Sequence, residues 1–164
     1  MNKMSTEEKI GQRLRKHLRV EEKCTIYEEK KREEKRLPKD RWGLCYQPDI
    51  IAFRRRANRF KFIECKSASS LRKIGQAFGQ VLAAKMSVEN TGEELINLLR
   101  KWVVMRRSDP KVQYIVAFND RNSEFVKKLR EDHFKDFGLY IVPLHKSKKI
   151  RRFQGEYFPI IPRE

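Results

Sequence analysis

Cysteine is scarce and odd in number: Cys24, Cys45 and Cys65 are the three in the chain. No C-x-x-C pair and no Cys/His cluster accompanies them, and His17, His133 and His145 stand apart. This excludes a disulfide framework and a structural zinc site, and reduced thiols in an intracellular setting are expected. Glycine and proline number only 7 and 6, and no internal repeat or low-complexity linker is present. Long apolar runs are missing. Nothing approaches transmembrane length, and the opening M-N-K-M-S-T-E-E-K lacks the apolar core of a signal peptide. No lipidation motif and no long amphipathic helix with a clean basic face is seen. The expectation is a cytoplasmic protein with no membrane partner, in the host cytoplasm if virus-encoded.

Acidic residues are also in short supply. Against 39 Lys and Arg stand 22 Asp and Glu, a formal charge of +17 with pI near 10.0. Such an imbalance speaks of partners rather than fold. A polyphosphate is the natural one, because neutralising its phosphates releases counterions. A soluble protein that is merely basic is the plainer alternative. The 164 residues suffice for one domain with a real core.

Along the chain, Ser5 with Glu8 forms a capping box that opens a helix to about Val20. Ile10, Leu14 and Leu18 share its buried face, and Glu7 and Glu8 lie in the first turn, where the helix dipole favours them. Cys24 to Glu29 reads as a strand. A charge-dense run follows, K-K-R-E-E-K-R-L-P-K-D-R-W-G, which suits either a solvated connection or a nucleic-acid backbone. Ile50–Phe53 and Phe60–Cys65 read as paired strands across an R-R-R-A-N-R turn. Ser69 or Ser70 caps a helix over L-R-K-I-G-Q-A-F-G-Q-V-L-A-A-K-M-S-V, with Leu71, Ile74, Phe78, Val81 and Leu82 as its buried stripe. Gly75 and Gly79 cost this helix about 1 kcal/mol each, which makes sense if it packs closely on a sheet or lets a ligand approach. Asn90-Thr91-Gly92 breaks it, and Thr91 with Glu94 caps a further helix. Val112–Phe118 reads as a central strand, Ser123–Phe134 as a short helix, and Leu139–Leu144 as a strand near an edge because of Pro143. The order is helix, three strands, helix, helix, strand, helix, strand. It predicts an α/β fold with a mixed sheet and helices on both faces. Residues 1–145 form the domain, and 146–164 read as a basic and aromatic tail.

Chemistry concentrates between Pro48 and Lys66. Asp49 opens the first strand of the pair, and Glu64 and Lys66 close the second. Side chains two apart on a strand share a face, and charge in so apolar a segment is costly unless paired or metal-bound. Phosphodiester hydrolysis needs a divalent ion on the phosphate, an activated water and neutralisation of developing charge. Asp49 and Glu64, with the carbonyl of Cys65, offer the oxygens that Mg²⁺ takes. Lys66 is placed to orient or deprotonate the water, or to stabilise the developing charge. An exposed ion pair at a strand end is the bland reading of Glu64 and Lys66, and it leaves Asp49 unexplained.

P-D, an apolar strand, a turn, then E-C-K at the end of the next strand resembles the signature of the PD-(D/E)xK nuclease superfamily, the restriction-endonuclease-like proteins. The element order from Ser5 to Leu144 is similar to its αβββα core followed by αβαβ. The chain looks most like archaeal Holliday-junction resolvases and virus-encoded relatives. The resemblance implies a Mg²⁺- or Mn²⁺-dependent DNA endonuclease, with branched intermediates among its expected substrates. It implies metal held by Asp49, Glu64, Cys65 and a first-helix glutamate, Glu7, with Glu8 its competitor. It also implies a catalytic set of Asp49, Glu64, Lys66 and Gln76. The RecB-like subgroup carries Gln-x-x-x-Tyr where this chain has Gln76-x-x-x-Gln80, a departure from that subgroup. Arg54, Arg55, Arg56, Arg72, Lys73 and Gln80 are the expected nucleic-acid contacts. A catalytically silent binding module, with basic clusters at Arg54–Arg56 and Lys148–Arg152, and an RNA-processing nuclease are the alternatives. A homodimer is expected, through the helix of Glu93–Met105 or through F-P-I-I-P.

Overall fold

The computed structural model describes residues 3–26, 47–101 and 109–161. Helix α1 spans Thr6–Val20, and its Ser5–Glu8 capping box is formed as the sequence predicts. Ile10, Leu14 and Leu18 are fully buried along one face. Strand β1 is Thr25–Ile26. Cys24 precedes this strand, and residues 27–29 of the expected Cys24–Glu29 strand, the charge-dense run and Cys45 lie outside the described residues. Strands β2 (Ile50–Arg54) and β3 (Arg59–Lys66) pair antiparallel in unbroken register from Ile50↔Ile63 to Arg54↔Arg59. The turn between them is a 3₁₀ segment, Arg55–Ala57, closed by Asn58 in the left-handed region.

Helix α2 covers Leu71–Leu99, with Ser70 as its N-cap. The two helices expected here are one. Thr91 leaves helical geometry (φ −123°, ψ 17°), yet the chain kinks there rather than stopping. Its hydroxyl donates to the Ser87 carbonyl, so it does not cap a new helix. Bonding back one turn is a known way for Thr to bend a helix without ending it. Ile74, Phe78 and Val81 are buried as expected, but Leu71 and Leu82 are 70% and 46% exposed. Gly75 and Gly79 do not serve close packing on the sheet, because a Cβ at either would meet nothing within 4 Å. Gly92 does serve close packing, because a Cβ there would lie 2.5 Å from the Ile160 carbonyl oxygen.

Strands β4 (Lys111–Phe118) and β5 (Gly138–Ile141) flank helix α3 (Ser123–His133). The 146–164 stretch adds β6 (Arg151–Phe153) and β7 (Phe158–Pro159) to the sheet. The sheet runs β1-β2-β3-β4-β5-β6, with β7 on β4. β3, β4 and β5 are parallel and the other pairings antiparallel. β5 is therefore not at an edge, since β6 lies outside it. Pro143 follows the strand and costs no ladder bond.

Among the described residues the fold is thus α/β, a mixed seven-stranded sheet with three α-helices. Alternate residues of the strands feed two cores. Phe60, Phe62, Tyr114 and Phe118 pack beneath α2 and α3. Ile63, Cys65, Ile115 and Ala117 pack beneath α1. Leu95, Ile96, Leu99 and Ile160 belong to the first core, so these apolar residues are spent within the chain rather than at an interface. Among the described residues no helix is long and apolar enough to cross a membrane.

Candidate active site

The hairpin places the carboxylates. Continuing the β2–β3 register one step beyond Ile50↔Ile63 sets Asp49 opposite Glu64. The period of two puts Asp49, Glu64 and Lys66 on one face of the sheet. Asp49 Oδ2 accepts a 2.8 Å hydrogen bond from the Cys65 backbone N–H. That bond fixes the aspartate across the strand that carries the other two groups. Glu64 is 6% exposed, and Lys66 is half-buried.

Helix α1 supplies the opposite wall. Glu7, Glu8, Gly11 and Arg15 line a pocket of about 270 Å³ together with Asp49, Glu64, Cys65 and Lys66. Glu7, Gly11 and Arg15 are four apart, the spacing of one helix face. Arg15 Nη2 donates to the Asp49 carbonyl at 3.0 Å. A Cβ on Gly11 would sit 2.9 Å from Arg15 Nη1, so glycine leaves that guanidinium its place. Glu7 Oε1 accepts from the Ser67 N–H at 3.4 Å and lies 3.5 Å from Lys73 Nζ. Partial burial pushes the Glu7 carboxyl up. Hydrogen bonds from its own N–H and from Ser67, with the Lys73 ammonium, outweigh that and hold it below the usual range. Glu8 Oε2 accepts from the Ser5 N–H. Its carboxylate is committed to the cap, which leaves Glu7 the better-placed of the two.

The turn after β3 is clamped from β4. Asn119 Oδ1 accepts from the Ala68 N–H, and Asn122 Nδ2 donates to the Ala68 carbonyl. The Cys65 thiol is buried and points into the α1-side core. Burial first, then the Asp49 and Glu64 charges, push its pKa well up. Only its main-chain carbonyl is a plausible ligand.

No family model, curated protein or solved structure matches the chain. The site rests on its own geometry.

Does that geometry suit a divalent cation? The available donors are carboxylate and carbonyl oxygens, the ligands of a hard cation. Among the described residues no group of three or more His, Cys, Asp and Glu side chains is drawn together as a ready cage. Mg²⁺ does not need one, since one or two carboxylates with retained water suffice. In donor chemistry the pocket fits.

The remaining expected residues fall elsewhere. Gln76, Gln80 and Arg72 are exposed on α2 and do not line the pocket. Lys73 reaches it only through Glu7. Arg54, Arg55 and Arg56 stand at the far end of the hairpin, five residues or about 17 Å from Asp49 at the usual strand rise.

Two features escaped sequence reading. Arg15 is one, although its spacing from Glu7 is visible as helical period. The other is a buried network beneath the end of α1. Lys61 Nζ donates to Glu22 Oε1 (2.6 Å) and to the Tyr140 hydroxyl (2.7 Å), and that hydroxyl donates to Glu22 Oε2 (2.6 Å). Arg152 Nη1 also reaches Glu22, at 2.7 Å, and His17 Nε2 lies 3.1 Å away. Burial pushes the Glu22 carboxyl up. Hydrogen bonds from Lys61 and Tyr140, then the Lys61 and Arg152 charges, overcome it and bring the pKa to about 2.

Proposed function

We propose that this chain is a metal-dependent nuclease of the PD-(D/E)xK type that hydrolyses phosphodiester bonds in DNA. The observation that carries the reading is the shared face of Asp49, Glu64 and Lys66, opening on the same pocket as Glu7. A charge of +17 supplies the attraction for a polyanion. Asp49, Glu64, the Cys65 carbonyl and Glu7 are the groups that would hold Mg²⁺ or Mn²⁺. When bound, such an ion supplies Lewis acidity toward a phosphoryl oxygen.

The protein's own groups do the rest. Lys66, two residues from Glu64, orients the attacking water and offsets charge that develops on the phosphate. The Cys65 N–H holds Asp49, and Arg15 holds the Asp49 backbone, so the aspartate is set before substrate arrives. Lys73 and the Ser67 N–H keep Glu7 ionised and aimed along the same wall. The restriction-endonuclease-like topology and action on branched DNA belong to this reading. So does a homodimer, because cutting two strands calls for two sites.

The test is incubation of the purified chain with plasmid, linear and branched DNA, and with matched RNA, with and without Mg²⁺ or Mn²⁺. Metal-dependent cleavage that Glu64→Ala lowers at least a hundredfold is expected. Cleavage by Glu64→Ala at the wild-type rate, or none on any substrate, refutes the reading.

A further inference from the structure

We propose that the loop of residues 143–150 is the wall on which the backbone of a duplex nucleic acid is seated, beside the Asp49–Glu64 pocket. The proposal rests on the nuclease reading for its substrate and extends it to a binding surface. Because β3, β4 and β5 are parallel, the turns that leave them gather at one end of the sheet. The pocket lies where β3 ends, and residues 143–150 leave from the end of β5. In open α/β sheets this carboxyl end is where ligands bind.

The loop is built rather than slack. Arg13 of α1 donates to the carbonyls of Pro143, His145 and Lys148. The Lys148 N–H donates back to the His145 carbonyl. His145 Nδ1 lies 2.6 Å from Ser147 Oγ. With its carbonyls turned toward Arg13, the loop exposes Lys146, Lys148 and Lys149 to solvent. Among the described residues Asp120 pairs with Lys148 at 3.2 Å, an exposed pair that a phosphate can displace.

Position favours this loop over the arginine turn. β5 is two strands from β3, or about 10 Å at the usual strand spacing. That is roughly three nucleotides of axial rise along one strand of a duplex. A duplex with one phosphate in the pocket therefore meets the lysines about three steps away on the same end of the sheet. Arg54–Arg56 lie at the other end. α1 lies between the two features, with Glu7 and Arg15 on the pocket and Arg13 on the loop, so one helix holds both in register.

The experiment measures binding of the full chain to a labelled 25-base-pair duplex, as DNA and as RNA, in EDTA over a range of salt. Lys146→Ala/Lys148→Ala/Lys149→Ala should lower the slope of log affinity against log salt by about 2–3, and weaken binding about 30-fold or more at 0.15 M salt. Arg54→Ala/Arg55→Ala/Arg56→Ala should change the slope by less than about 1. As a second measurement, lysine acetylation of the unmutated protein is mapped by mass spectrometry. Lys146, Lys148 and Lys149 should be protected by the duplex. A slope unchanged in the lysine variant, equal acetylation with and without duplex, or a larger loss in the arginine variant overturns the proposal. Protection by RNA alone keeps the wall and reassigns its substrate. Because EDTA suppresses cleavage, a lysine effect without any metal-dependent activity leaves this proposal standing while the nuclease reading falls. No duplex binding at 50 mM salt overturns this proposal, while the nuclease reading stands or falls by its own cleavage test.

Discussion

Glu22→Gln tests the buried network with a change of one atom. The native carboxylate accepts from Lys61, Tyr140 and Arg152, and Lys61 is only 4% exposed. Removing one partner of a buried pair costs about 3–5 kcal/mol when the other charge is left uncompensated. An amide can still accept from Lys61, which moderates the loss. The pKa gives a second route to the size. Falling from 4.5 to about 2 corresponds to roughly 3 kcal/mol. Arg152, 38% exposed, opens one side of the network to water, so about 2–3 kcal/mol is expected after screening. The sign follows from linkage. A carboxyl depressed in the folded state stabilises above its unfolded pKa and loses that contribution as pH falls through the folded one. The gap between wild type and Glu22→Gln should therefore be full at pH 7 and smaller by roughly two-fifths at pH 3.5. Urea unfolding followed by circular dichroism reads it, alongside a Tm lower by about 4–12 °C. A gap below about 0.5 kcal/mol at pH 7, the usual range for surface substitutions, or a gap that does not shrink toward pH 3.5, would refute the reasoning.

Gly75→Ala and Gly79→Ala each meet open space, so each should stabilise the chain by about 0.5–1 kcal/mol, read as a rise in Tm; destabilisation would mean that α2 carries a neighbour on that face. Gly92→Ala drives a methyl onto the Ile160 carbonyl and should cost about 1–3 kcal/mol in urea unfolding; no loss would show that the 158–161 segment yields freely. Cys24 and Cys65 are buried with thiol pKa values pushed up, so iodoacetamide at pH 8 should leave both unmodified in the native protein and label both in urea. Labelling of native Cys65 would contradict the packing beneath α1.

The hairpin was legible because its information is local. Alternation of period two and the placement of Asp49, Glu64 and Lys66 at strand ends determine a shared face without tertiary knowledge. The Ser5–Glu8 box is local in the same way. Thr91 shows where local signals mislead. Asn-Thr-Gly reads as a break, but packing of Gly92 against Ile160 holds the helix on both sides of the kink. Strands β6 and β7 are three and two residues long and take their order from pairing with β5 and β4 rather than from any periodicity of their own. The Glu22 network is opaque for the same reason. Its members, Glu22, Lys61, Tyr140 and Arg152, each read as an ordinary surface or strand residue. Only the completed sheet brings them together. Arg72, Gln76 and Gln80 were assigned by their place on a helix, and sequence spacing does not say how that helix is turned toward a pocket.

The bond from Arg152 to Glu22 spans 130 residues of chain, and β5 has no outer neighbour until β6 is made. At a synthesis rate of about 5–20 residues per second, Glu22 and Lys61 wait several seconds beyond their own emergence for the guanidinium that completes their network. Closing the long loop from Glu22 to Arg152 is itself slow, because its entropy must be met before any contact repays it. The β5 edge is covered soon after it is made, since residues 151–153 follow it by about 0.5–2 s, but the buried charge cluster is completed late in synthesis rather than element by element.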